Sequence, residues 1–212
     1  MDKLFGPDGI TGIAITNLTC ELVMQTGRAL VLALSQKIQH KLTIFVGKDT
    51  RLSSDILENA LIAGICSAGA TVKRLGRQPS AAVAFLVRHK KADAGVMITA
   101  SHNGFEYNGL KFYSSGGYKL SDDIEDEIEK IILGEAEAPA IKIGGEVGNR
   151  MFCKTAVEDY INHVVQTSEV RFDGMRIALD CANGCASETA EKLFSAMGAE
   201  VFVMANTPDG TN

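Results

Sequence analysis

No apolar run in this chain approaches the roughly 20 residues that a bilayer-spanning helix needs. The N-terminus, Met1-Asp-Lys-Leu-Phe-Gly6, has no basic stretch leading into an apolar core, so it does not read as a signal peptide. A Walker sequence ending in Gly-Lys-Ser/Thr is missing and so is a dinucleotide fingerprint, which argues against a nucleotide P-loop. Basic residues are outnumbered 21 to 26, for a net charge of −5, so there is no general positive field for a nucleic acid to meet. The five cysteines are an odd, scattered set, and Cys181 and Cys185 lack the second pair that would complete a zinc site. Buried free thiols in a reducing cytoplasm are the expectation.

What is present is an ordinary globular composition, 46% hydrophobic and 22% charged with only 4 prolines over 212 residues, enough for one or two cores. Helical and strand periodicities alternate. Leu18 to Ile38 carries Leu22, Val23, Thr26, Leu30, Ala33, Leu34 and Ile38 on one helical face. A strand at Thr43 to Val46 leads to a helix capped by Ser53 and stopped by Gly69. A strand at Thr71 to Leu75, a helix at Ser80 to His89, a strand at Val96 to Thr99 and a short strand at Leu110 to Tyr113 continue the series. Ser114-Ser-Gly-Gly117 turns the chain into an acidic helix that ends near Leu133.

Residues 134 to 150 change character and mark a boundary. The expected division is a complete domain over residues 1–148 and the front of a similar second domain over 149–212. In the second, Thr155 and Glu158 read as a capping box for a helix to Thr167. A strand Arg176 to Asp180, a helix Ser187 to Met197 and a strand Glu200 to Met204 follow. The run Thr43-Ile-Phe-Val-Gly-Lys-Asp49 through Val72 is echoed by Arg176-Ile-Ala-Leu-Asp-Cys-Ala182 through Val201, as a repeated βαβ unit would be. The fold class is α/β, a mixed sheet sandwiched by helices. About 60 residues make a thin core for the second unit, and an exposed apolar face there favours self-association.

Three polar loops fall at strand ends or turns. Phe5-Gly-Pro-Asp-Gly-Ile-Thr-Gly12 reads first as tight-turn architecture. In Gly47-Lys-Asp-Thr-Arg51, Lys48 and Arg51 are candidates to hold phosphate where a helix begins, while Asp49 and Thr50 fit side-chain bonds that tie down the turn. In Thr99-Ala-Ser-His-Asn-Gly104, a hydroxyl, an imidazole and an amide share a turn at the end of an apolar strand. Ligands bind at such strand ends in open α/β sheets. A serine hydroxyl needs a base, a metal or strong positioning to act as a nucleophile. Ser101 has His102 beside it, Asn103 and Asn108 nearby, and Lys111 placed to act in proton transfer if the loop folds back. The other histidines, His40, His89 and His163, read as exposed or part-buried helix residues.

Together with Asn108-Gly-Leu-Lys-Phe112, Gly117-Tyr-Lys-Leu-Ser-Asp122 and Asp180-Cys-Ala-Asn-Gly184, these loops stand in the order found in the α-D-phosphohexomutases. The chain resembles that superfamily over essentially all its length, and most of all its bacterial phosphoglucosamine mutase branch. The resemblance implies an enzyme that carries phosphate on Ser101, passes it to a hexose monophosphate, and recovers the other phosphate from the hexose bisphosphate. It implies one magnesium ion per complete active site, bound to the phosphate on Ser101, with the remaining ligands beyond residue 212. It makes His102 and Asn103 shapers of the loop, Lys111 the proton-transfer residue, and Thr11, Asn103, Lys48 and Arg51 phosphate-binding candidates. Thr11 departs from the family's usual arginine, Pro7 from its threonine and Gly104 from its proline. A phosphomannomutase or phosphoglucomutase of the same superfamily, or a non-catalytic sugar-phosphate-binding remnant, are the alternatives.

Overall fold

The computed structural model describes residues 3–138 and 140–212. At its centre β2 (Thr43–Lys48) runs parallel to both β3 (Thr71–Arg77) and β4 (Ala94–Ile98). These are short apolar runs, and all five residues of β4 are buried, as expected of a strand covered on both faces. β5 (Tyr107–Ser114) pairs antiparallel with β4, and β1 (Ile10–Ile13) antiparallel with β5. β6 (Arg150–Phe152) adds a parallel strand to β3, so the order is β1-β5-β4-β2-β3-β6. This is the mixed sheet that the alternating periodicities anticipate.

Helices cover both faces. α1 (Cys20–Ser35), α2 (Leu52–Ser67) and α4 (Asp122–Leu133) enclose one core with Ile44, Val46, Val72, Val96, Ile98 and Leu110 from the sheet. Removing one of the fully buried leucines of α2, Leu57 or Leu61, would cost about 2–5 kcal/mol. On the other face, α3 (Ser80–His89) and α5 (Ala156–Gln166) enclose Phe45, Leu75 and Met97. The Thr19 hydroxyl caps α1 by accepting the Leu22 N–H at 3.1 Å.

Several local expectations are corrected. Strands β1 and β6 are additional, and β6 continues the first sheet beyond residue 148, where the boundary was expected. Ser53 lies inside α2 and does not cap it, because the helix already begins at Leu52. Thr155 precedes α5 without a capping bond; its hydroxyl instead donates to Asp159 at 2.6 Å, and Lys90 donates to it at 3.2 Å. His40 lies in an exposed bend outside any helix, bonded to Asp93 at 2.8 Å. Of the five free cysteines only Cys181 is buried.

The remaining strands, β7 (Arg176–Asp180) and β8 (Glu200–Met204), form a separate parallel pair. The helix expected from Ser187 is split into a 3₁₀ turn over Cys185–Glu188 and α6 (Ala190–Ala196). Both strands alternate part-buried with exposed residues, and Phe202 and Met204 lie on the open face.

Candidate functional site

The loops after β2 and β4 emerge side by side at the carboxyl ends of parallel strands, facing the loop that follows β7. Between them lies a cleft of about 460 Å³. Asp49, Thr50 and Arg51 form one wall, and Ser101, His102, Asn103 and Phe105 another. Ala182 to Cys185 and Gly210 to Asn212 close the far side. Thr50 donates its hydroxyl to the Asn183 carbonyl at 2.9 Å, and the Leu52 N–H donates to the Gly210 carbonyl at 3.1 Å, so the two sheets meet across this cleft.

Ser101 is exposed and has φ 58°, in the left-handed region that a residue with a β-carbon seldom occupies. Its N–H donates to the Thr99 hydroxyl at 3.1 Å, and the Asn103 N–H to the Ala100 carbonyl at 3.1 Å. The resulting turn lifts the Ser101, His102 and Asn103 side chains to the surface. Phe105 stands 53% exposed at the edge of the same cleft.

The support beneath this turn is a chain of polar contacts that begins in the buried strand β5. The Asn108 amide donates to the Ser53 and Ser54 hydroxyls, both at 2.9 Å, while its carbonyl accepts the Gly109 N–H at 2.9 Å. Ser54 in turn donates to Asp49 at 2.6 Å. Asp49 also accepts the Arg51 backbone N–H at 3.0 Å and the Arg51 Nε at 2.8 Å. The other Arg51 nitrogens donate to the carbonyls of Ser101 (3.0 Å), Asn103 (2.8 Å), Tyr107 (3.2 Å) and Gly104. Residue pattern foresees Asp49 tying down its own turn; the part played by Ser54 has no signature in the sequence, since a serine in an amphipathic helix is unremarkable.

Ser101, His102, Asn103 and Arg51 therefore share one cleft. Lys48, Lys111 and Thr11 do not line it. Lys48 turns back from the end of β2 to Asp55 and to Glu58, at 2.7 Å. Glu58 is completely buried and also holds Arg74 through bonds of 2.9 and 2.6 Å, which raise the Arg74 pKa. Lys48 is thus held inside an ion network, away from the phosphate role expected of it. Lys111 sits opposite Met97 in the β4–β5 ladder, and its ammonium makes no hydrogen bond to a described side chain or carbonyl. Thr11 lies opposite Gly109, where a β-carbon would come within 2.8 Å of the Thr99 carbonyl and 3.0 Å of the Thr11 hydroxyl. Glycine at 109 is what lets β5 fit between β1 and the Thr99 carbonyl just beyond β4.

Cys185, missed as a site residue, lies against the Asp49–Arg51 loop. Burial pushes its thiol up to about 12, and the Asp49 carboxylate adds to the shift. It is therefore a neutral, unreactive wall of the cleft at physiological pH.

No group of three or more His, Cys, Asp or Glu side chains among the described residues is arranged to hold a metal. The Asp49 carboxylate is occupied by Arg51 and Ser54. The donors around Ser101 do not by themselves make a magnesium site.

Comparison with known proteins agrees with this architecture. The phosphoglucosamine mutases of Clostridium perfringens (strain SM101) and Carboxydothermus hydrogenoformans are each 50% identical to this chain over all 212 residues. Those residues make up 47% and 48% of the two relatives, so the chain spans about half their length. A crystal structure of a phosphoglucomutase/phosphomannomutase family protein from Burkholderia thailandensis superposes with a TM-score of 0.83 at 24% identity, covering 100% of this chain and 45% of that one. The α/β/α domain I of phosphoglucomutase/phosphomannomutase matches residues 2–139, well over half of the chain, and the protein belongs to that family.

Proposed function

We propose that this chain carries the phosphoryl-transfer serine of a phosphohexomutase, and that its substrates are glucosamine 6-phosphate and glucosamine 1-phosphate. The observation that carries the reading is Ser101 itself: an exposed hydroxyl on a left-handed turn at the end of a buried parallel strand, opening into a cleft. The glucosamine assignment rests on the relatives, which bear that name at 50% identity.

In this reading the phosphate on Ser101 passes to a hydroxyl of the hexose monophosphate. The bond from phosphorus to the Ser101 oxygen breaks as the bond to the sugar oxygen forms. The sugar hydroxyl loses its proton and Ser101 gains one. The bisphosphate then turns over and returns its other phosphate to Ser101. Such transfers depend mainly on alignment and charge stabilisation. His102 and Asn103 would shape the loop, and Lys111 is kept as the proton-transfer group on family resemblance, its side chain open to reorient. Magnesium, bound to the phosphate on Ser101, would screen its charge, with its other ligands supplied from outside the residues described. The phosphate-binding role is assigned to Asn103 and Thr11, Thr11 giving a hydroxyl where the family usually has a cationic fork. A division into two domains with the first running through β6, a cytoplasmic location, and self-association of the isolated chain through the open face around Phe202 and Met204 complete the proposal. No helix among the described residues is long and apolar enough to cross a membrane.

Intact mass spectrometry after incubation with a hexose bisphosphate tests it. The expected result is one phosphate per chain, absent in Ser101→Ala, without sustained conversion of glucosamine 6-phosphate by the 212-residue chain alone. A phosphate that persists in Ser101→Ala would refute the assignment. The departure at Thr11 favours one competing reading, a sugar-phosphate-binding protein without transfer, which would bind glucosamine 6-phosphate yet leave Ser101 unmodified.

A further inference from the structure

We infer that Arg51 is a positioning residue for Ser101, holding the serine loop by its backbone and making no contact with substrate phosphate. The inference rests on the phosphoryl-transfer reading for its consequence, though its structural content stands apart from it. An arginine beside a candidate phosphate site would ordinarily aim its planar fork at the anion. Here each of the five N–H groups that a guanidinium possesses already has an acceptor. Nε donates to Asp49, and the two terminal nitrogens donate to four loop carbonyls, those of Ser101, Asn103, Gly104 and Tyr107. The side chain is only 10% exposed, and the Asp49 carboxylate opposite it is 8% exposed. Reaching outward for a ligand would leave several of these carbonyls without their donor.

The need for such a fastening lies in the backbone. A serine at φ 58° persists only where its surroundings over-determine that conformation. The Thr99 hydroxyl fixes the N–H side of Ser101, and Arg51 fixes the carbonyl side. Asp49 fixes Arg51, Ser54 fixes Asp49, and Asn108 fixes Ser54 from the strand that follows the loop. The serine loop is thus anchored to β5 through side chains of α2 and of the loop after β2. Lysine could keep the charge of Arg51 but could not reach four carbonyls and a carboxylate at once.

Hydrogen exchange on the 212-residue chain tests the fastening, and phosphate uptake from a hexose bisphosphate tests its consequence. In Arg51→Lys, exchange of the amides from Ser101 to Tyr107 is expected to rise roughly tenfold while the rest of the first sheet keeps its protection. The rate at which Ser101 takes up phosphate should fall, with the half-saturating bisphosphate concentration unchanged. Asp49→Asn, which weakens the carboxylate's hold on Arg51 Nε, should give the same localised exchange; it decides the matter should Arg51→Lys lose protection globally. Unchanged loop exchange in Arg51→Lys, or a raised half-saturating concentration with an unchanged maximal rate, would overturn the inference. Wild-type chain that takes up no phosphate would sink the phosphoryl-transfer reading and leave the exchange result to decide the role of Arg51.

Discussion

The Thr50 hydroxyl reaches the Asn183 carbonyl at 2.9 Å, a bond between residues 133 apart in sequence. It joins the loop after β2 to the loop after β7. Ala182 and Asn183 both have positive φ, 47° and 49°, so the carbonyl that Thr50 meets belongs to a turn with an unusual backbone. Thr50→Val keeps the shape of the side chain and removes the donor. The expected cost is about 1 kcal/mol, read as a lower midpoint in urea unfolding. Amides around Asn183 should exchange faster while those of β2 and β4 do not. Uniform change across both sheets would show that this bond does not act as a local joint.

Glu58 is the centre of the ion network beneath the site. It is completely buried and bonded to both Lys48 and Arg74. Glu58→Ala would strand two cations against the sheet and should cost about 3–5 kcal/mol. Asp55 also meets Lys48, but its side chain is 64% exposed, so Asp55→Asn should cost less than about 1 kcal/mol. Denaturant midpoints measured side by side check the contrast. Equal losses would mean that Lys48 is held by Asp55 as much as by Glu58.

Lys48 and Arg51 also show how far sequence reasoning reaches. Both are cations in one polar motif, and residue type makes either a phosphate ligand. Lys48 is still part of β2, so its side chain follows the strand's alternation onto the α2 side, where Glu58 waits. Arg51 stands one residue before α2, where the chain turns under the serine loop. Its acceptors are main-chain carbonyls, which every residue type possesses, so no residue pattern could announce them. The strands β7 and β8 and the helix Ser80 to His89 were legible because their apolar spacing coincides with what they bury. β6 was not, since all three of its residues are exposed and it pairs only at the sheet edge. β1 was hidden by its glycine and threonine, which suggest a turn. Ser101 was visible from a run of small polar residues after an apolar strand, while the contacts that hold it depend on tertiary packing.

Cys185 gives a pH dependence with a defined sign. Its thiol is pushed up to about 12, first by burial and then by the Asp49 carboxylate, against about 8.5 in an unfolded chain. Between those values the folded state keeps a proton that the unfolded state releases, so unfolding is favoured increasingly as pH rises. The contribution of the neutral thiol is complete below the unfolded value and declines toward the folded one, by about 1.4 kcal/mol for each pH unit in between. Other groups titrate in the same window, so the informative quantity is the difference in unfolding free energy between wild type and Cys185→Ala. At pH 7 to 8 that difference should be constant and reflect packing alone. From about pH 9 upward it should shrink, because only the wild type loses stability through this thiol. Alkylation should follow the same logic, with Cys185 modified more slowly at pH 8 than Cys20 or Cys153, which are also part-buried. A difference that stays constant to pH 11, or prompt labelling of Cys185, would mean that the cleft wall is wetter than the packing around Asp49 implies.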